Sequence, residues 1–423
     1  MSTLDFALVN NTGSDTVYAY ITGLAIDNND ALFLLESDGK TAYYPTSPSS
    51  DGTALSADCA ISLGASGSTT TVTIPHLAGA RLWFSRGSKL TFYLNPGPAL
   101  VEPSVSNKSD ANYNLYWDFC EFTWNSTELF VNITFVDFVC LPIALSLENT
   151  SGTTQTVEGL PSDGLDTICT GLTTQNDSDG AGWDELIITT GGANLRAVSP
   201  NIGGTLTSGL LGSYWDSYVD SVWSKYTDAT LTVDTQAAAG SLTATVTNNE
   251  LTFSSDSIAY AQPSSSAIWS NSSGAFANVS SGTQNAVTAR LAAAFNRSTL
   301  LIDTDQPDGE VVSTYYTNSI TNHYARLCHA TTLDGRGYSF PYDDVGPSGG
   351  ADQSGSISDS SPKLLTVTVG GPTTSSSTNK SVKQAVTKQV IAKTTTAQVT
   401  QKQGLLQAMK NALRKLTRGK SSS

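Results

Sequence analysis

Charge is scarce in this chain. Only 14% of its 423 residues are Asp, Glu, Lys or Arg, against about a quarter in an ordinary soluble domain. Histidine is scarcer still, with three in all: His76, His323 and His329. No nucleophile-elbow pattern surrounds any serine, so hydrolysis by a Ser–His pair has no support. His323 and His329 lie in the stretch NHYARLCH and read as packed or capping residues rather than ligands. Five cysteines, Cys59, Cys120, Cys140, Cys169 and Cys328, are too few and too scattered for a disulfide framework or a zinc site. Cys120 and Cys140 either lie across from each other or are free buried thiols. No apolar run approaches the ~18–20 residues of a membrane helix, and Gly192, Gly203 and Gly204 belong to no phosphate loop with its lysine. Met1 leads straight into Asp5–Val9, which reads as the first strand. No basic start, apolar core and cleavage site precede it, so no signal peptide is expected.

What replaces charge is Ser, Thr, Gly, Asn and Tyr, which suits a β-rich protein with a polar surface. The net charge of −15 hides an asymmetry, because ten Lys or Arg and no acids lie from Pro372 onward. The body before it holds 12 basic against 37 acidic residues. Such a body repels phosphate and argues against nucleic acid as a partner, whereas a neutral polysaccharide suits it. The tail, 372–423, is a basic low-complexity segment. Its Leu405, Met409, Leu413 and Leu416 form an apolar stripe beside Lys410, Arg414 and Lys415, a pattern that fits a solvated, fraying tail and also a short amphipathic helix touching an anionic surface.

Residues 4–100 read as short strands between turn clusters. DFALVNNT, TVYAYITGLAI, ALFLLES, TTTVTIPHL, ARLWFS and LTFYL supply the strands; NNTGSD, DNND, SDGK, SRGSK and NPGP supply the turns. Strands at such intervals suggest a sandwich or barrel. The texture changes after Leu147. TVEGLPSDGLDTICTGL has helical spacing, and so do Trp215, Val219, Val222 and Tyr226, then Val287, Leu291, Ala294 and Phe295. ELIITT, TLTVDT, LTATVTNNELTF and TLLIDT read as strands between them, so 148–325 is a mixed α/β region. GRGYSFPYDDVG and KLLTVTVGG return to β character, over 326–371.

The most informative stretch is Trp117 to Leu141, WDFCEFTWNSTELFVNITFVDFVCL. Two runs rich in aromatic and β-branched residues, Trp117–Trp124 and Phe130–Val139, flank Asn125-Ser126-Thr127, the pattern of a β-hairpin. Asp118, Glu121 and Asp137 sit inside these runs, where a carboxylate is costly to bury without a partner. Side chains alternate along a strand, so Trp117, Phe119, Glu121 and Thr123 share a face. Glu121 and Asp137 are 16 positions apart, an even number that places both on one face of directly paired antiparallel strands. Two carboxylates on one face are the minimum equipment for glycoside hydrolysis; two solvated acids on an outer strand face fit the same residues.

CEFTW followed by NITFVDFVCLPIAL resembles the glutamate and aspartate strands of glycoside hydrolase family 64, β-1,3-glucanases with a thaumatin-like fold. The likeness returns in YVDSVWSKY (Tyr218–Tyr226), in ARLAAAFNRSTLL (Ala289–Leu301) and in NHYARLCHATTLDGRGYSFPYDDVG (Asn322–Gly346), covering roughly residues 4 to 370. The resemblance implies a thaumatin-like β-sandwich or barrel, begun by residues 1–147 and completed by 326–371, with the mixed α/β region inserted as a second domain. It further implies endo-acting, inverting hydrolysis of β-1,3-glucan, Glu121 as general acid, Asp137 as general base, and no metal or organic cofactor. Thr123, Asn125 and Thr134 align with polar substrate-binding positions of the family, and Phe130 stands where the family is expected to carry a tryptophan. The family suggests an extracellular or cell-wall setting and a monomer. A non-catalytic glucan-binding or defence-type protein on the same fold is the alternative.

Strand register carries the mechanism at this level. Glu121 directly opposite Asp137 gives the short spacing of retaining enzymes, about 5–5.5 Å between carboxyls. Pairing Cys120 with Cys140 instead sets Glu121 opposite Val139 and Asp137 on the diagonal, which suits the about 6.5–9.5 Å of inverting enzymes. The second register is the expected one. Ten N-x-S/T sequons occur, and a glycan on Asn125 would crowd the acids, so Asn125 is expected to be unglycosylated.

Overall fold

The computed structural model describes residues 2–255 and 258–371. The basic tail and its Leu405–Leu416 stripe lie outside the described residues. Ten of the early strands and connections matter here: β1 (Leu4–Asn10), β2 (Val17–Ala25), β3 (Ala31–Leu35), β4 (Thr69–Ile74), β5 (Leu77–Arg86), β6 (Tyr116–Trp124), β7 (Leu129–Ile133), β8 (Phe138–Val139), β9 (Ile143–Asn149) and β10 (Thr154–Val157). The middle of the chain gives α1 (Gly164–Asp179), β11 (Ile187–Thr190), β12 (Ala193–Val198), α2 (Pro200–Leu206), α3 (Asp216–Asp228), β13 (Leu231–Asp234), β14 (Ser241–Thr247), β15 (Glu250–Phe253), α4 (Gly282–Arg297) and α5 (His323–Thr331). Two strands follow, β16 (Ser356–Asp359) and β17 (Pro362–Val369).

The protein is mainly β, with five sheets among the described residues. One runs β10-β9-β17-β1-β4, and β17 lies parallel to β1 and antiparallel to β9. A larger sheet runs β16-β7-β6-β5-β2-β3 and ends on Ala42–Tyr43, with Ile61–Ser62 on the side of β2. The two pack through apolar faces because alternate residues of their strands are apolar. Cys120 and Phe122 of β6, Val131 and Ile133 of β7, and Leu82 of β5 are all buried, and Phe122 meets Phe6 of β1 edge-on at 5.1 Å between ring centroids. The smaller sheets are β8-β12-β11, the set of Ala259–Tyr260, β15, β14, β13 and Asp305–Gln306, and a strip of Thr53–Ala54, Tyr93–Asn95 and Ala99–Val101.

The helical stripes form as spaced. Val219, Val222 and Tyr226 are buried on α3, and Val287, Leu291, Ala294 and Phe295 on α4. No helix among the described residues is long and apolar enough to cross a membrane. TLLIDT departs from expectation, forming turns from Ser298 until the two-residue strand Asp305–Gln306. Its apolar residues fill the end of the helical layer: Leu300 is fully buried, and its carbonyl accepts from Tyr226 Oη. GRGYSFPYDDVG is also mostly turns, joined to sheet structure only where Tyr338 bridges Thr134.

The expected register is wrong. Cys120 faces Ile133, not Cys140, and Glu121 faces Asn132, not Val139. The second aromatic run is not one strand: β7 ends at Ile133, the chain crosses over through Thr134–Asp137, and β8 joins a different sheet by pairing with β12. Asp137 therefore stands on the crossover rather than on a strand opposite Glu121. All five cysteines are free and buried.

Because Phe122 and Phe6 hold the two sheets together, Phe122→Ala is expected to cost about 3–5 kcal/mol, the range for a large-to-small core change. A urea titration should show a lower midpoint with an unchanged slope; an unchanged midpoint contradicts this packing.

Candidate active site

Along β6 the alternation that buries Cys120 and Phe122 turns Glu121 and Thr123 to the opposite, outer face of the large sheet. Register extends this into a row across five strands: Ser356 on β16, Asn132 on β7, Glu121 on β6, Arg81 on β5 and Thr22 on β2. This polar row stands apart from the buried aromatic positions Trp83, Trp117 and Phe119 on the same face. In the adjoining row Phe130 pairs with Thr123, which makes Phe130 the diagonal neighbour of Glu121, at roughly 7–8 Å by sheet geometry. Thr123 is buried, and its hydroxyl accepts from the Gly79 amide at 3.3 Å where β5 and β6 slip register. Asn125 closes the hairpin turn, its side-chain carbonyl accepting from Thr127 N, Thr127 Oγ1 and Glu128 N.

Three distant segments hold the crossover that carries Asp137. Phe135 N donates to the Tyr338 carbonyl at 2.7 Å, Tyr324 Oη of α5 donates to the Phe135 carbonyl at 2.7 Å, and Ser199 N donates to the Asp137 carbonyl at 2.8 Å. Thr134 is buried, and its hydroxyl accepts from Val136 N at 3.4 Å. Gly337 leaves no room for a side chain, since a Cβ there would fall 2.5 Å from the Phe135 ring. From below, Asp118 ties the segment that follows β8 to β6. Its buried carboxylate accepts from Phe119 N at 2.8 Å, Cys140 N at 2.8 Å and Leu141 N at 3.0 Å. Burial pushes the Asp118 pKa up to about 7, against the pull of these backbone donors and of Arg196.

The electrostatics centre on Arg81. Its Nε donates to Glu121 Oε1 at 3.3 Å and its Nη1 to Glu102 Oε2 at 2.5 Å. The guanidinium lies over the Phe119 and Trp83 rings, 4.7 and 5.4 Å from their centroids. Asp137 is held above the ordinary carboxylate range, chiefly by burial; the charge of Arg81 opposes the rise and that of Glu121 adds to it. Glu121, Asp137 and Arg81 thus form one interacting set, with Glu121 still 19% exposed.

A cleft of about 700 Å³ opens beside this set. Phe130 and Ser356 line one wall, Gln236 and Arg290 the other, and Tyr338 and Asp344 the rim. Glu121 and Asp137 do not line it; it adjoins them through Asn132, which lies between Ser356 and Glu121 in the row. The rim is fixed from behind by a buried ionic network. Asp343 accepts from Arg297 Nη2 at 3.0 Å, Ser339 N at 2.9 Å and His329 Nε2 at 2.8 Å, and Arg297 also reaches the Val345 carbonyl and, at 3.6 Å, Glu310. Asp344 accepts from Tyr338 Oη at 2.8 Å. His323 is a packed residue, edge-on to Trp183, with its pKa lowered to about 4, chiefly by burial. Among the described residues no group of His, Cys, Asp and Glu could hold a metal ion. Four sequon asparagines, Asn10, Asn132, Asn271 and Asn296, are buried.

Glu121 and Asp137 are conspicuous in the sequence because acids inside aromatic strands stand out. Arg81 escapes notice, although a cation inside ARLWFS is the same signal with the opposite sign. Asn132 was hidden by the wrong register, and Glu102, Gln236 and Arg290 carry no local signal.

A polar row with an acid and a cation, and a second acid beside it, thus adjoins a cleft of about 700 Å³. The chain is a member of glycoside hydrolase family 64: the family model described as beta-1,3-glucanase matches residues 2–369. It is 29% identical over 291 residues, 65% of this chain, to a glucan endo-1,3-beta-glucosidase of Cellulosimicrobium cellulans, and 28% identical over the same length to one of Arthrobacter sp. (strain YCWD3). The match spans 50% of the length of each of these curated relatives. Among solved structures it is similar to a laminaripentaose-producing beta-1,3-glucanase in complex with laminaritetraose, with a TM-score of 0.76 and 29% identity over 87% of this chain and 98% of that one. A beta-1,3-glucanase domain from Clostridium beijerinckii shares the fold, with a TM-score of 0.66 and 22% identity over 87% of this chain and 98% of that one.

His329 offers a pH test of the rim. Nδ1 faces the Gly335 carbonyl at 3.0 Å while Nε2 faces Asp343, so both nitrogens meet acceptors, a setting that favours the protonated ring. Burial alone would lower its pKa, but the charge and hydrogen bond of Asp343 raise it overall. A raised folded pKa gives stability that is fully present below the unfolded value of about 6.5 and is lost as pH rises through the folded pKa. The melting temperature of His329→Gln should accordingly lack the fall that wild type shows over that window; equal slopes in both proteins contradict the charged ring.

Proposed function

We propose that this protein is an endo-acting, inverting β-1,3-glucan hydrolase, with Glu121 as general acid and Asp137 as general base. The observation that carries the reading is the charge cluster itself. Two carboxyls, one on the sheet and one on the crossover, interact with each other and with Arg81 beside a cleft sized for several sugar rings. Membership of the family and the endo-1,3-β-glucosidase names of the two relatives support the substrate, as does the bound laminaritetraose in the similar structure. Phe130, which lines the cleft, and Thr123, Asn125 and Thr134 are read as the substrate-binding positions. The sandwich is read as thaumatin-like, built from 1–147 and 326–371, with 148–325 as an inserted domain that supplies the far wall of the cleft.

In the reaction Glu121 gives its proton to the glycosidic oxygen as the bond to the anomeric carbon breaks. Asp137 takes a proton from the water whose oxygen attacks that carbon from the opposite side. The raised pKa of Asp137 suits a base working near neutral pH. Proton exchange with solvent then resets both carboxyls, and the chemistry draws on no metal.

Glu121→Gln cannot donate the proton and Asp137→Asn cannot accept one. Each is expected to fold and to lose about 10²–10⁴-fold in turnover of a β-1,3-glucan such as curdlan, the usual worth of a positioned acid or base. Near-full turnover by either variant removes that residue from the mechanism. A new anomeric centre that appears first in the β configuration by NMR excludes inversion.

The pH profile gives a separate test. A base is lost when protonated, so kcat/KM should fall as pH drops through the Asp137 pKa, at a higher pH than an ordinary aspartate would set. An acidic limb at the ordinary aspartate value, ~3.9, contradicts the buried, Glu121-coupled setting of Asp137.

A further inference from the structure

Arg81 is built into the sheet more firmly than a surface ion pair requires. The row fixes its Cα directly opposite Glu121, two aromatic rings support its plane, and Glu102 holds one terminal nitrogen at 2.5 Å. Its side chain is only 16% exposed. With the terminal nitrogen anchored, Nε has one direction left, and it points at Glu121 Oε1. A planar, braced fork of this kind is pre-organised in a way that a lysine ammonium is not.

We propose that Arg81, braced by Glu102, is the positioning residue of the carboxylate pair and fixes which oxygen of Glu121 carries the transferable proton. The proposal rests on the reading of Glu121 as general acid. A protonated carboxyl has one acceptor oxygen and one hydroxyl oxygen. The oxygen that faces the Nε–H must be the acceptor, so the proton sits on Oε2. Without Arg81 a rotation about the last side-chain bond exchanges the two oxygens, and the acid spends part of its time with the proton turned away from the substrate. The same guanidinium places a positive charge near Asp137 and opposes the effect of burial on it. Glu102 keeps the guanidinium from swinging wholly onto either catalytic carboxyl.

Two substrates separate this role from a merely structural one. In β-1,3-glucan the leaving oxygen needs a proton. In a β-1,3-gluco-oligosaccharide carrying 2,4-dinitrophenol as leaving group it does not, so a misplaced acid is bypassed. Arg81→Met and Arg81→Lys are expected to lower kcat on glucan about 10²-fold while the activated substrate loses less than about five-fold, because only the acid step is affected. KM should change little in both. The limb of the pH profile set by Asp137 should rise by about one unit in Arg81→Met, which loses the cation, and stay in place in Arg81→Lys, which keeps it. Glu102→Gln keeps Arg81 but loosens the brace, and it should show the same substrate split at smaller size. Parallel loss on both substrates with a lowered melting temperature makes Arg81 structural and overturns the proposal, as does unchanged glucan turnover. Should Arg81→Met fail to fold, Arg81→Lys and Glu102→Gln carry the test. Failure of the underlying reading looks different: Glu121→Gln would then retain glucan turnover whatever the Arg81 variants do.

Discussion

The arrangement depends on one buried carboxylate, that of Asp118. It accepts the backbone N–H groups of Phe119, Cys140 and Leu141, and so joins the strand that carries Glu121 to the segment that follows β8, just past Asp137. The crossover is where the chain leaves the large sheet for a small one, and its backbone groups lose their ladder partners there. Side-chain and loop groups replace the ladder: the Tyr338 carbonyl accepts from Phe135 N, Tyr324 Oη and Ser199 N donate to the Phe135 and Asp137 carbonyls, and Asp118 accepts from Cys140 N and Leu141 N just beyond. A buried backbone amide without a partner is costly, so each replacement also fixes position. Asp137 gains the placement of a strand residue without lying on a strand.

The same logic organises the cleft. Its near wall is the outer face of a sheet, which is rigid because its other face is core. Its rim, Tyr338 to Val345, is a loop, and loops need anchoring before they can hold a ligand group in place. Arg297, buried on α4, supplies that anchor by gathering Asp343, Glu310 and the Val345 carbonyl. Breaking one member of such a buried set leaves the others uncompensated, so the rim is either wholly formed or badly disturbed. First-contact groups held by a supporting set of this kind are what precise chemistry requires.

Most of the architecture was legible in the sequence because its signals are local. Period-2 runs gave β1, β2, β5, β6 and β17, and the stripes of Trp215–Tyr226 and Val287–Phe295 gave α3 and α4. Glu121 was legible for a similar reason, as a charge among aromatics. The register was not. Phe130–Val139 has the composition of one strand throughout, and the break after Ile133 is imposed by Tyr324, Tyr338 and Ser199, which lie 62 or more positions later. TLLIDT failed in the opposite sense: its β-branched residues satisfy a strand pattern, yet Leu300 is claimed by the helical layer and Tyr226. The cleft's far wall, from Gln236 and Arg290, had no signal at all, because ordinary polar residues become significant only when folding brings them opposite Phe130.

The parallel pairing of β17 with β1 has a consequence for how the molecule comes into being. β1 and β17 pair although they lie more than 350 positions apart along the chain. β17 is also the strand that links β1 to β9. Until it arrives, β1 and β4 have no connection to β9 and β10, and the inner face of the large sheet lacks half of its cover. Closure of the core therefore joins segments far apart along the chain, and non-local pairing of this kind is slow and exposes apolar surface meanwhile.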